Sequence, residues 1–376
     1  MNTLMPPMRA TSLPLDSAYL GINAVKKRGL KAYLNTKPWF IRLTNKEYWN
    51  ANIFFVPLVF YVIYLAIKAR SAFFFSAANP AIPTGGLVGE SKADIHNLIP
   101  PQYRPKTVVL RSEATLRDIV SQMEKAQLKF PIILKPVVGC RGLLVKKMTK
   151  HADIYQHLQQ FNTDFLIEEF IDYPVEAAVL YWKNPETGKS GIESITLKEF
   201  LTVTGNGEQT IAELLMENPR GVLQVKRLHK EKASLMASIP QAGEKIWVEP
   251  IGNHCKGTKF LNFHLVTKPM VTAYDKIQTQ LPGCYIYRLD LKAPSIADMQ
   301  AGRDIKILEI NGVGSDPAHI FDPKTPIFEM FHAYIRLWKK VFDIAQAVHR
   351  QGVPYMTYTE YKKYAAQQAA VEKLLL

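Results

Sequence analysis

Apolar and polar positions divide the chain into regions of different periodicity. From Ile53 to Ile67, within NIFFVPLVFYVIYLAIKAR, every position is apolar or aromatic apart from the break at Pro57. The run is shorter than the roughly 20 residues a spanning helix needs. Two readings follow. The segment is either a helix lying in or dipping into the cytoplasmic leaflet, with Trp49, Tyr61 and Tyr64 near the interface, or a buried core helix. Upstream Lys and Arg side chains, able to meet anionic headgroups, favour the first.

From Pro105 onward the pattern predicts a strand at 107–111, a helix at 114–127, a strand at 131–135 and a glycine turn at 139–142. A strand at 143–147, a helix at 151–160 and a strand at 165–170 follow. TGNGEQTIAELL reads as an Asn-Gly turn leading into a helix with a capping box of Thr210 and Glu213. Residues 325–349 form a long amphipathic pattern with Phe328, Phe331, Tyr334, Leu337 and Val341 on its core face. Such alternation belongs to a compact α/β or α+β domain. Between the apolar run and Pro105, Asn79-Pro80, Pro83 and Gly85-Gly86 are loop chemistry.

Charge and cysteine content narrow the setting. The net charge is +14, and residues 1–48 alone carry eight basic side chains (Arg9, Lys26, Lys27, Arg28, Lys31, Lys37, Arg42, Lys46) against Asp16 and Glu47, which makes +6. That arm suits an anionic partner or membrane surface. It lacks a recognised nucleic-acid motif, so nucleic acid is set aside as a partner. Cys140, Cys255 and Cys284 lie far apart with no C-x-x-C pair, which fits a reducing, cytoplasmic setting. The start of the chain lacks a secretory pattern, so an exported protein is not expected.

Candidate chemistry concentrates late in the chain. In ILEINGVGSDPAHIFDP, Glu309 and Asn311 share one face of a strand, because strand side chains repeat every second residue. The preceding YIYRLDL offers Arg288 and Asp290 at the same spacing. Pairing of 285–291 with 305–311 would gather Asp290, Glu309 and Asn311, three hard oxygen ligands suited to Mg²⁺ bound to phosphates. The alternative, that Glu309 and Asn311 merely end a strand at the surface, stays open on these residues alone. Upstream, Lys135 ends an apolar strand just before Gly139-Cys140-Arg141-Gly142, whose amides could approach phosphates closely. This is not the G-x-x-x-x-G-K-[ST] phosphate loop. In FLIEEFIDYPVEAAV, Glu168, Glu169 and Glu176 could meet an adenine edge and ribose hydroxyls, or be solvated turn residues.

Taken in order, these segments resemble the ATP-grasp superfamily over roughly residues 90–345, in particular the branch of D-alanine–D-alanine ligase, cyanophycin synthetase and related carboxylate–amine ligases. The resemblance implies an α+β ATP-grasp fold in which two α+β subdomains clasp ATP, preceded by a basic and hydrophobic helical N-terminal segment. Expected divisions are 1–90, 91–164 with the glycine loop, 165–350 with the metal site, and a helical tail at 351–376. ILKP looks like the family's phosphate-contacting lysine, Lys135, and Gly139, Arg141 and Gly142 like its mobile glycine loop. Glu168, Glu169, Phe170 and Ile171 take the hinge that holds the base, and Glu176 the ribose. RLD and EIN match the catalytic arginine, Arg288, and the metal ligands Asp290, Glu309 and Asn311. IPQAGEKIWVEPIGNHCKGT is similar to the cyanophycin synthetase side of the group, with Asn253 and Gly257 near the phosphates. His96 stands where the family's first ATP lysine is expected, and the family's compact N-terminal substrate domain is replaced by the segment 1–90.

The implied reaction consumes ATP with Mg²⁺, or alternatively Mn²⁺, to form an acyl phosphate that an amine attacks, with Arg288 stabilising the oxyanion. Asp316 or His319 could take the amine's proton, the bland alternative being a hydrogen-bonded turn. Asn79, Thr84, Gly85, Ser91 and Ser315 are the expected substrate contacts. The carboxylate and amine are small or lipid-linked, and the protein is cytoplasmic or peripheral on the inner membrane face. Competing functions are an ATP-grasp kinase and a nucleotide-binding protein without turnover.

Overall fold

The structure is a computed structural model that describes residues 33–49, 52–138, 144–161 and 163–375. It comprises two compact units, one of residues 1–44 with 203–246 and one of residues 45–202 with 247–376. In the first, the helices Ile211–Met216, Pro219–Glu231 and Ala233–Ala237 bury Ile211, Leu215, Val222, Val225, Leu228 and Met236. Thr210 caps the first of these. Its hydroxyl accepts the Glu213 amide at 3.2 Å, and the Glu213 carboxylate accepts the Thr210 amide at 2.8 Å. Helix Pro38–Thr44 buries Ile41.

The second unit contains two antiparallel sheets. One has strands β1 (Thr107–Leu110), β2 (Ile132–Pro136), β3 (Lys146–Met148) and β4 (Phe165–Glu169) in the order β1-β4-β2-β3. Helices Leu116–Lys125 and His151–Gln160 cover it and bury Ile119, Met123, Ile154 and Leu158 against Leu110, Ile132, Leu134, Phe165 and Ile167. β4 begins where the sequence reading drew a boundary, yet it is an inner strand here, bonded to both β1 and β2.

The other sheet has β5 (Val175–Lys183), β6 (Ser190–Glu199), β9 (Lys259–Asn262), β10 (Ile286–Ala293) and β11 (Lys306–Asn311) in the order β11-β10-β5-β6-β9. Strands β7 (Thr202–Thr204) and β8 (Lys245–Trp247) form a separate pair. Alternation divides the five-stranded sheet sharply. Ala177, Val179 and Tyr181 of β5 and Tyr287, Leu289 and Leu291 of β10 face a core closed by Met270, Tyr274 and Ile277. The intervening positions, Glu176, Arg288, Asp290 and Lys292, take the other face.

Helix Ile327–Arg350 buries Met330, Tyr334, Leu337, Val341 and Ile344. Phe328, expected on that stripe, is 64% exposed instead. It lies two residues from Met330, about 200° around a helix, and therefore on the opposite side. The loop segment is drawn into the core: Phe74, Phe75, Ala77 and Ala78 pack with Leu337 and Val341, and Asn79 is fully buried beside them. Helix Asn52–Ala69 buries Leu58 and Leu65 and leaves Val56, Phe60, Ile63 and Ile67 exposed. No helix among the described residues is long and apolar enough to cross a membrane.

Candidate active site

The pairing of β10 with β11 sets Arg288 opposite Asn311 and Asp290 opposite Glu309, while Leu289 and Ile310 pair on the core face. Directly opposed residues of an antiparallel pair project to the same side, so four polar side chains occupy one patch. Arg288 donates through Nε to Asp290 Oδ1 at 2.9 Å and through Nη2 to Oδ2 at 3.3 Å. Its Nη1 reaches the Asp316 carbonyl at 3.3 Å. Lys198, from β6, stands 3.5 Å from Asp290 and 3.1 Å from Glu176. Burial alone would raise the Asp290 carboxyl, but Arg288 and Lys198 overcome it and hold the group below the usual carboxylate range. Burial likewise opposes the charge on Lys198, and Asp290 and Glu176 outweigh it, leaving the ammonium above its ordinary value.

Asn311 carries a buried side-chain nitrogen with no hydrogen-bond partner. Such a group costs about 1–3 kcal/mol unless something polar meets it. Among the described residues no group of three His, Cys, Asp or Glu side chains could hold a metal ion. Asp290 and Glu309 are opposed carboxylates, with the Asn311 carboxamide on the same face of β11. Hard oxygens from adjacent strands fit Mg²⁺ or Mn²⁺ in kind.

The other sheet contributes Lys135, whose ammonium lies 2.7 Å from Glu168 and 3.4 Å from the Leu308 carbonyl, one residue before Glu309. Burial raises the Glu168 carboxyl despite that partner. Glu168 is thus engaged by Lys135, and the Glu169 carboxylate accepts the Lys106 amide at 3.2 Å. Lys147 sits over the Phe170 ring at 3.7 Å and Lys292 at 5.5 Å, beside buried Ile171. Glu176 is buried between Lys198 and Lys292, 3.8 Å from the latter. A Cβ at Gly252 would lie 2.0 Å from Glu176 Oε1, so a larger residue there would have to displace this carboxylate from Lys198 and Lys292.

His96 Nε2 lies 3.0 Å from the Pro105 carbonyl, which can only accept from it, and 2.8 Å from the Thr107 hydroxyl. Burial drives its pKa down to about 4, so it is a neutral imidazole and brings no lysine-like charge. The Asp316 carboxylate accepts the Tyr334 hydroxyl at 2.6 Å. His319 is buried and held below its ordinary pKa by burial, with Nε2 3.9 Å from Glu329 and Nδ1 unpartnered. Ser315 donates to the Gly312 carbonyl at 2.7 Å, and Asn253 accepts the Cys255 amide at 2.8 Å. Gly139, Arg141 and Gly142 lie outside the described residues.

The expected substrate contacts are committed to the fold. Asn79 donates to the carbonyls of Gly85 at 3.0 Å and Ile286 at 2.7 Å, and accepts the amides of Tyr285 at 2.8 Å and Ile286 at 2.9 Å. Thr84 donates to the Val88 carbonyl and accepts the Leu87 and Val88 amides. Ser91 caps helix Lys92–Leu98. Gly85 accepts the Val313 amide at 3.0 Å and Gly86 that of Gly314 at 3.0 Å, which lays this loop along the chain leaving Asn311.

Sequence reading missed Lys147, Lys198 and Lys292. Lys292 continues the every-second-residue series from Arg288 and Asp290 and was open to that argument. Lys198 becomes visible only once β6 is placed beside β5, where Ala177 pairs with Leu197.

No family model and no curated protein matches the chain. Among solved structures it is similar to a D-alanine–D-alanine ligase from Bacillus anthracis complexed with ATP, at TM-score 0.40 and 11% identity over 72% of this chain and 70% of that one. It is similar also to a bifunctional glutathione synthetase from Pasteurella multocida, at TM-score 0.37 and 15% identity over 68% of this chain and 37% of that one. An L-amino acid ligase from Bacillus licheniformis gives TM-score 0.34 and 13% identity over 64% of this chain and 44% of that one. The chain therefore spans less than half the length of the last two.

Proposed function

We propose that the protein is an ATP-grasp ligase that joins a carboxylate to an amine through an acyl phosphate and releases ADP. The supporting observation is the convergence of Arg288, Asp290, Glu309 and Asn311 on one face of β10 and β11, with Lys135 reaching the β11 backbone from the other sheet. A divalent cation held by Asp290, Glu309 and Asn311 would neutralise phosphate oxygens as a Lewis acid. Lys135 adds a positive charge beside them. Arg288, anchored through Asp290, keeps a guanidinium where negative charge develops on the attacked carbonyl. Of the two candidate bases, Asp316 is engaged by Tyr334, and neutral His319 is the one able to accept the amine's proton.

Glu176, with Lys198 and Lys292, and Phe170, under Lys147, form the nucleotide side of the reading. The reading extends to a lipid-linked or envelope-precursor substrate met at the inner membrane face, supported by the basic residues 1–48 and the apolar helix that follows. Purified protein with ATP, Mg²⁺ and pooled amino acids, hydroxy acids and lipid precursors should release ADP. Adding hydroxylamine should trap a hydroxamate from the acyl phosphate. ADP release with a phosphorylated hydroxyl and no hydroxamate would make the protein a kinase, and no ADP release with any pool would remove the enzymatic reading.

A further inference from the structure

Helix Asn52–Ala69 has no polar side. Its inner positions Leu58 and Leu65 are buried, with Tyr61, Val62 and Ala66 partly covered, against Tyr334, Leu337 and Val341 of helix Ile327–Arg350. On the outer side, Val56, Val59, Phe60, Ile63, Tyr64 and Ile67 are each between 50% and 72% exposed. The spacing of three and four residues makes them one continuous stripe rather than scattered surface hydrophobics. A helix packed on a water-soluble core ordinarily turns charged residues outward. Here no charged side chain occurs between Asn52 and Lys68.

We infer that this stripe is a docking face for an anionic lipid bilayer, with the helix lying in the plane of the interface. It deepens the peripheral part of the proposed function and rests on none of the catalytic assignments. Charge selects the occupant. The chain carries +14 overall, and residues 1–48 of the sequence hold eight basic side chains against two acidic ones. Apposing two copies through this face would bring two strongly positive molecules together, whereas an anionic bilayer attracts the net positive charge and accepts an apolar stripe at its interface. The C-terminal end of the stripe is built for the interface too. Lys68 lies over the Tyr64 ring at 5.6 Å and the Phe342 ring at 5.4 Å, and Arg70 follows the helix. An ammonium resting over aromatic rings at the end of an apolar stripe is suited to the headgroup level.

The test is co-sedimentation of the full-length protein with phosphatidylglycerol-containing vesicles and with pure phosphatidylcholine vesicles, without ATP. Binding to the first and at least tenfold weaker binding to the second are expected. Phe60→Ser combined with Ile63→Ser should keep the melting temperature and lose binding at least tenfold. In Phe60→Trp, the emission of the introduced indole should shift to the blue on adding anionic vesicles. Vesicle binding that survives the double serine variant, an unshifted emission in Phe60→Trp, or a dimer that the serine pair dissociates in the absence of vesicle binding would each overturn the inference. Because no arm reads turnover, a failed ligase assay leaves this result untouched, and the reverse.

Discussion

Asp290 on β10 stands directly across from Glu309 on β11, two carboxylates held face to face at one level of an antiparallel ladder. Like charges at that spacing oppose folding unless cations attend them. Arg288 and Lys198 attend Asp290, and no protein cation in ion-pair contact with Glu309 is found among the described residues. On the proposed reading a divalent cation would meet this pair, which makes Glu309 the most informative position to change.

Glu309→Gln removes the negative charge and keeps the shape. ADP release should fall by about 10²-fold or more, the loss usual for one electrostatic contact to transferring charge. The melting temperature should stay equal or rise, since the repulsion with Asp290 is relieved. Unchanged ADP release would contradict the assignment of the metal site.

Lys198→Met leaves Glu176 and Asp290 buried without the ammonium they share. Removing one partner of a buried ion pair costs about 3–5 kcal/mol. Urea denaturation should show a loss of that order at pH 7. The loss should shrink in acid, because Asp290, held below the usual carboxylate range, contributes stability present above its unfolded value and lost as pH falls through its folded one.

His157 is buried between the rings of Phe161 and Phe165, and burial takes its pKa down to about 4. A histidine whose folded pKa lies below its unfolded value of about 6.5 favours the native state fully only above that value. Stability should therefore decline as pH drops from 6.5 towards 4. His157→Leu should flatten that part of the stability curve, as read by thermal melts across the window.

Asn79 uses both donors and its acceptor oxygen twice, tying the loop at Gly85 to the start of β10. At about 0.5–1.5 kcal/mol for each bond, with further loss for orphaned amides, Asn79→Ala should cost about 3 kcal/mol or more in denaturant unfolding. A variant of normal stability with a raised KM for a substrate would instead return Asn79 to a binding role.

How much of this was readable in advance depends on the range of the interaction concerned. The pairing of β10 with β11 was legible, because Arg288, Asp290, Glu309 and Asn311 mark one face against Leu289 and Ile310 on the other, and a hairpin-like return brings them together. The capping box at Thr210 and Glu213 was legible for the same reason, being contained within four residues. The burial of Asn79 was not. Proline and glycine announce a turn, but what packs over the turn is a helix more than 240 residues away. The apolar run was ambiguous because a helix without a polar side carries no mark of which half meets the core.

The approach of Gly86 to Gly312 has a mechanical consequence. A Cβ on Gly86 would lie 2.6 Å from Gly312 Cα, and one on Gly312 would lie 2.2 Å from the Gly85 carbonyl. With the backbone bonds from Val313 and Gly314 added, the two segments are interlocked without intervening side chains. Any shift of the strand end that carries Asn311 must drag the Pro83–Gly86 turn along, and through Asn79 the root of β10. Sliding one of these segments alone is closed to this scaffold, so variation there should arise instead by replacing both together.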